Sequence, residues 1–449
     1  RSFSPDVKLI LLYCLLAGIG YGVIELIFNF YLQELGYQAD FIGQWRAVST
    51  LAVAGASLFL GRAINRFGTW WTMVAGFSLL SASCIGMSLA TTTWLLLLLA
   101  IGYGASLSYL TNPVLPFIMD HERPDQRQHA TAVSLSVFSL SVMIGSLMGG
   151  VTPNFFARIV PSISAGSVGA YRAAMLTGAV IALLAMIPLF LMKEPRKFKS
   201  NRRSRSNMSD ETPAERKQTR MDIAHFALMG GLMSIGVGMI WPFYNIFLKS
   251  LGSSDDQIGY IFAISGLVGA IAGLVAPVVV ARKGALNSAL FLRLSVVPFF
   301  LPLLFVPTAG VAVLAFYWRS ATASVAWPIE VTFISEMLPP RARAGIFGIR
   351  SSVWNLGYAA ATYAGGILIV RYGYNPGMVV FAIFSVLSGV VFYAHFSRDA
   401  RVRSGEITTA WSPARRGKLL ARSSRLAEDV GESEATANPD GAARGVPGS

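Results

Sequence analysis

The chain reads as an all-α integral membrane protein, with twelve transmembrane helices in two pseudo-symmetric six-helix bundles. Three observations predict this. First, 54% of its 449 residues are hydrophobic and only 13% are charged, with mean hydropathy +0.55. A soluble domain carries about 25% charged residues. Second, those charges are bunched between long apolar runs. This excludes a soluble helical bundle, whose helices need polar faces, and a membrane barrel, whose strands alternate in polarity. Third, a spacing of 216 residues relates the two halves. Gly20 and Gly22 match Gly236 and Gly238, Asn29 matches Asn245, and Leu35-Gly36 matches Leu251-Gly252. Ile42-Gly43 matches Ile258-Gly259, Gly68 matches Gly284, and Gly149-Gly150 matches Gly365-Gly366. Their type and their single register carry the inference more than their number. In a membrane protein, two matching halves point to a carrier with its substrate site between them.

Helix is the only choice for such spans, because each must satisfy its own backbone in lipid. About 20 residues at about 1.5 Å each cross the hydrocarbon. The first half holds runs at 8–33, 41–64, 70–90, 94–119, 129–153 and 171–192. The second holds 222–249, 257–281, 286–307, 310–336, 342–371 and 376–396. The predicted domains are therefore an N-terminal bundle (1–192), a basic linker (193–220), a C-terminal bundle (221–397) and a disordered polar tail (398–449). The first run is too long for a signal-peptide core and is followed at once by a second. Cys14 and Cys84 lie inside apolar runs and read as small buried hydrophobes.

Lys and Arg set the orientation. One set of loops holds Arg62 and Arg66, Arg123 and Arg127, the linker, Arg282 and Lys283, and Arg341 and Arg343. The opposite set holds little beyond Arg158, Lys249 and Arg371. The basic loops, and with an even number of spans both termini, are expected in the cytoplasm. The net charge of +14 comes largely from these loops and calls for no nucleic-acid partner.

The loop after the second span reads Gly61-Arg62-Ala63-Ile64-Asn65-Arg66-Phe67-Gly68, with a weaker echo from Pro277 through Arg282-Lys283-Gly284. This segment resembles the signature of the major facilitator superfamily, Gly-x-x-x-Asp-Arg-x-Gly. Asn29-Phe30-Tyr31-Leu32 followed by Leu35-Gly36 also resembles bacterial members. Asn65 stands where the family usually has Asp, and Thr69-Trp70 replaces its basic pair, so the role of that loop charge is altered. Gly145 to Pro153 loosely resembles a Gly/Pro motif of drug:proton antiporters. The resemblance implies two bundles rocking about a central cavity lined by spans one, four, seven and ten.

A charge inside a span costs about 2.5–3.5 kcal/mol and needs a local reason. Glu25 in span one and Arg319 in span ten lie at matching depths, about 12 Å from the same end, and are predicted to pair across the halves. Tyr21, Glu25 and Asn29 fall on one helix face, as do Arg319, Trp327 and Glu330. Span four offers Tyr109, Asn112 and Pro113; span seven offers Trp241, Pro242 and Asn245. Each proline frees a carbonyl and is expected to kink its helix. Glu330 and Arg350 are predicted to form a structural pair, whereas Arg46 and Arg293 are expected to snorkel to headgroups. At the inner ends, Arg66 with Asp120 and Arg282 with Glu336 form repeated Arg–acid sets, predicted to pair within each half and help close that side.

No phosphate-binding Gly-x-x-x-x-Gly-Lys-Ser/Thr loop is present, and no His or Cys spacing points to a metal. No cofactor and no enzymatic activity are expected. His121-Glu122 reads as a solvated loop, and His225, opening span seven, is weak support for proton coupling. The sequence thus predicts a monomeric secondary transporter in the bacterial cytoplasmic membrane. It would move a small organic solute by alternating access, with proton-coupled efflux the leading form and Glu25 the proton-linked carboxylate. Metabolite uptake, facilitated diffusion, a lipid flippase and a non-transporting receptor or scaffold are the alternatives.

Overall fold

The computed structural model describes residues 3–123, 126–192, 213–399 and 402. Most of the basic linker and nearly all of the tail lie outside these residues. Every described element is helical. The first six spans are Pro5–Glu34, Ala39–Phe67, Thr69–Leu89, Thr93–Thr111 continued by Val114–His121, Arg127–Ile159, and Val168–Leu184 continued by Met186–Leu191. Span seven is Pro213–Ile240, a 3-10 turn at Trp241–Phe243, then Tyr244–Ser250. Spans eight to twelve begin with Asp255–Lys283 and with span nine, whose helix Ala285–Leu294 continues in short turns to Leu304; Ala309–Met337, Pro340–Tyr372 and Asn375–Phe396 follow. Arg216, Lys217 and Arg220, assigned to the linker from sequence, instead ride on the start of span seven.

Eleven of these helices are long and apolar enough to cross a membrane. The remaining one, Ala309–Met337, has the length but carries Arg319, Glu330 and Glu336. Breaks fall at the prolines, as steric reasoning requires: span four is interrupted before Val114 at Pro113, and span seven tightens at Pro242.

The halves repeat one packing plan. Span one lies against five and six, as seven lies against eleven and twelve; two packs on four as eight packs on ten. The 216-residue pairs now acquire physical causes. Gly36 and Gly252 both have φ +90°, and Gly68 and Gly284 have φ +88° and +75°, left-handed turns that glycine alone adopts without strain.

Two crossings join the halves, span two with eleven and span five with eight. Each is a glycine contact. A Cβ on Gly43 would stand 2.6 Å from the Thr362 carbonyl oxygen and 3.2 Å from Gly366 Cα. A Cβ on Gly150 would stand 2.7 Å from both the Asp255 carbonyl oxygen and Gly259 Cα. These are repeat partners of one another, Gly43 with Gly259 and Gly150 with Gly366. Further along spans two and eleven, Gly55, Gly61 and Gly348 have no neighbour within 4 Å of such a Cβ. The halves therefore meet at one end of the bundle and part toward the other.

Candidate functional site

Glu25 sits mid-span and is 36% exposed, while the Arg46 facing it from span two is only 11% exposed. Arg46 Nη1 donates to Glu25 Oε1 at 2.6 Å, and Tyr103 Oη donates to Glu25 Oε2 at 3.3 Å. Tyr21 and Tyr358 stand close enough to interact electrostatically with both charges. Arg46 Nη2 reaches on to Asn29 Oδ1 at 3.4 Å. Asn29 Nδ2 donates to Asn245 Oδ1 at 2.8 Å and to the Pro242 carbonyl at 2.7 Å, and Asn245 Nδ2 donates back to the Leu26 carbonyl at 2.8 Å. Two repeat-related asparagines thus bond each other where spans one and seven meet, and the Pro242 carbonyl accepts there while Ile246 N–H, four residues on, donates to Asn245 Oδ1 instead.

The same end carries a polar latch between the halves. Tyr171 Oη donates to Asp255 Oδ2 at 2.6 Å, Lys249 Nζ lies 2.9 Å from Asp255 Oδ1, and Asn154 Nδ2 donates to Asp256 Oδ2 at 2.8 Å. Lys249 also sits 4.6 Å from the Phe30 ring centre.

The second half holds a separate charge cluster. Glu330 accepts from Arg293 Nη2 through Oε1 and from Arg350 Nη2 through Oε2, both at 2.5 Å. Arg293 also donates to Ser388 Oγ. Beside them Arg319 is buried, its guanidinium 5.6 Å from the Trp241 ring centre and 5.9 Å from that of Phe381. Arg293, Arg319, Glu330 and Arg350, with the half-buried Trp354 and exposed Trp327, line a cavity of about 250 Å³.

Several expectations are corrected. Glu25 and Arg319 do not pair. Arg46 reaches Glu25 from within its own half, and Arg319 has no hydrogen bond or ion pair from its guanidinium among the described residues. Arg46 and Arg293 do not snorkel, since each finds a carboxylate at its own depth, a better partner than a distant headgroup. Glu330 does bond Arg350, with Arg293 added. Tyr109 Cβ and backbone lie close to Gly76 of span three, and Asn112 donates to Ser108 on its own helix. Asn65, Arg66 and Arg282 are exposed. Arg66 lies over the Phe67 ring, and neither Arg makes an ion pair among the described residues. The expected Arg282–Glu336 pair is not made; Arg282 is exposed, where an ion pair is worth only about 0–1 kcal/mol. The side chain of Asp120 lies outside the described residues. Sequence reasoning missed Arg46, Tyr103 and the Tyr171–Asp255–Lys249 latch. Arg46, at i+21 from Glu25 across one short turn, was the legible signal.

The model of the Major Facilitator Superfamily matches residues 10–318 and 226–427. The chain belongs to the major facilitator superfamily. This membrane transport protein is 20% identical over 407 residues to the multidrug resistance protein MdtG of Proteus mirabilis, covering 88% of this chain and 94% of the relative. It superposes on the crystal structure of nucleoside transporter NupG with a TM-score of 0.71 at 14% identity, over 88% of this chain and all of that one. On a D-xylose-proton symporter the TM-score is 0.68 at 15% identity, over 86% and 97% of the two chains. The superfamily's fold of two six-helix bundles is the fold described above, and the chain is a multi-pass membrane protein.

Proposed function

We propose that the chain exports a small organic solute by alternating access, driven by protons that bind Glu25. One observation carries this reading: the contacts Glu25–Arg46–Asn29–Asn245 link a partly exposed mid-span acid to the seam between the halves. While Glu25 is ionised it holds Arg46, and Arg46 holds Asn29 on its partner. Protonating Glu25 weakens the ion pair, lets Arg46 leave Asn29, and lowers the cost of opening the seam. A proton and a conformation are then linked through one guanidinium. Tyr21 and Tyr103 position the acid.

The basic loops support a reading in which the parted end and both termini are cytoplasmic, and on that reading the conformation described is inward-facing. In the opposite state the inner ends meet, and there Arg66, Asp120, Arg282 and Glu336 take their closing role beside Asn65. The multidrug relative supports export of an organic solute, and the xylose-proton symporter supports proton linkage.

The test is uptake into proteoliposomes under an imposed pH gradient, with labelled benzenesulfonate, benzyltrimethylammonium, uridine and D-xylose as probes. At least one accumulates against its own gradient, and Glu25→Gln abolishes that accumulation while downhill exchange persists. Flux that ignores the pH gradient overturns the coupling; no flux of any probe overturns transport.

A further inference from the structure

Charge in the second-half cavity does not balance. Three guanidinium groups, Arg293, Arg319 and Arg350, line it with one carboxylate, Glu330. Both oxygens of Glu330 are already taken by Arg293 and Arg350. One acid offsets one cation, which leaves two positive charges on the wall of the cavity. Arg319 is more than nine-tenths buried, and no acid lies within ion-pair distance of it among the described residues. Its Nε, and Nη1 of Arg350, are buried without an acceptor among the described residues.

Fold requirements do not explain this excess. The repeat partners of Arg293, Arg319, Glu330 and Arg350 are Phe77, Tyr103, Val114 and Ser134, an uncharged set on the same scaffold. A buried unpaired charge works against stability, and such costs concentrate where a ligand repays them. The rings of Trp241 and Phe381 flank Arg319. They partly offset its burial but accept none of its hydrogen bonds, so its N–H groups keep their capacity for an anion. A guanidinium fork matches two oxygens of a carboxylate, sulfonate or phosphonate. Trp327, 60% exposed, and Trp354 add apolar wall to the same cavity. Its volume of about 250 Å³ falls just below the roughly 300–1,000 Å³ of drug-sized ligand sites, which suits a small solute.

We propose that the second-half cavity is an anion site: Arg319, with Arg350 beside it, binds the oxyanion of a small organic acid whose planar apolar body lies against Trp327 and Trp354. This names the substrate class and rests on the transport reading above. It separates the work of the halves, with the proton on Glu25 and the solute on Arg319. Glu330 stays ionised between its two arginines and carries no coupling proton.

The test is titration of the purified protein in lipid nanodiscs with benzenesulfonate and phenylphosphonate. Benzyl alcohol and benzyltrimethylammonium serve as neutral and cationic counterparts. The two anions bind and the counterparts do not. Arg319→Gln weakens anion binding about tenfold or more, the loss of a charge-assisted contact, and Arg319→Lys restores part of it. Arg319→Gln also melts at or above the wild-type temperature, because a structural cation would lower it and an unpaired one does not. Preference for the cation, anion affinity unchanged in Arg319→Gln, or no binding of either anion to the wild type overturns the proposal. Anion binding without flux in proteoliposomes overturns transport and leaves the site standing; flux of the cation alone does the reverse.

Discussion

Three equivalent positions tell the two halves apart. Glu25, Arg46 and Tyr103 in the first are matched, at the repeat spacing, by Trp241, Phe262 and Arg319 in the second. In the first half the acid accepts from Tyr103 and Arg46. In the second, Arg319 lies against Trp241, whose ring stacks 4.9 Å from Phe316, with Phe262 4.7 Å from that same ring. The geometry is shared: two side chains, on the first and fourth spans of a bundle, touch in both. The chemistry is inverted, an acid with a hydroxyl on one side and a cation with an aromatic face on the other. Backbone approach is what the repeat preserves, through glycines at crossings and turns. Polarity is free to differ because the cavity is where helices need not touch.

The largest effect expected from breaking this comparison is at Glu330. Glu330→Gln leaves Arg293 and Arg350 buried without their carboxylate and lowers stability by about 3–5 kcal/mol, read as a fall in melting temperature in detergent. The same change at the unpaired cation, Arg319→Gln, is expected to cost nothing. Equal losses at the two sites would mean that Arg319 is a structural charge after all.

Next come the crossings. Gly43→Leu and Gly150→Leu each force a side chain into the opposite half, where overpacking costs about 1–3 kcal/mol. Both are expected to disfavour the described conformation by about tenfold or more, measured as labelling of cysteines placed at the closed end. Because the two glycines occupy equivalent crossings, their effects should be similar. A large difference would show that the two crossings do not share the closure.

The smallest effect is at the seam. Asn29→Ala and Asn245→Ala each remove buried hydrogen bonds worth about 1–2 kcal/mol. The double variant should lose less than the sum, since the residues bond each other. Strict additivity in a thermal or chemical melt would show that the Asn29–Asn245 contact contributes nothing of its own.

Much of the frame was legible in the sequence. Span number and position followed from apolar run length, and the repeat register correctly paired Asn29 with Asn245 and Gly36 with Gly252. Proline positions marked the breaks in spans four and seven. What was not legible was the azimuth of each helix. Glu25 and Arg319 match in depth, but depth does not say which neighbour a side chain turns toward. Arg46 was closer in sequence and closer in space. Arg293 was misread for the same reason: nearness to a span end says nothing about a carboxylate one helix away.

In the transport cycle proposed above, the halves exchange closure between ends. Cys14 and Cys84 are buried, so spin labels can be placed selectively at Gln33 and Ser250 near the closed end, and at Arg62 and Gly348 near the parted end. Distances between each pair, measured in nanodiscs at high and low pH, test it directly. Opposite changes are expected: protonation lengthens the Gln33–Ser250 distance as the Arg62–Gly348 distance shortens, and Glu25→Gln mimics low pH at every pH. Distances that stay fixed, or that lengthen and shorten together, would contradict it.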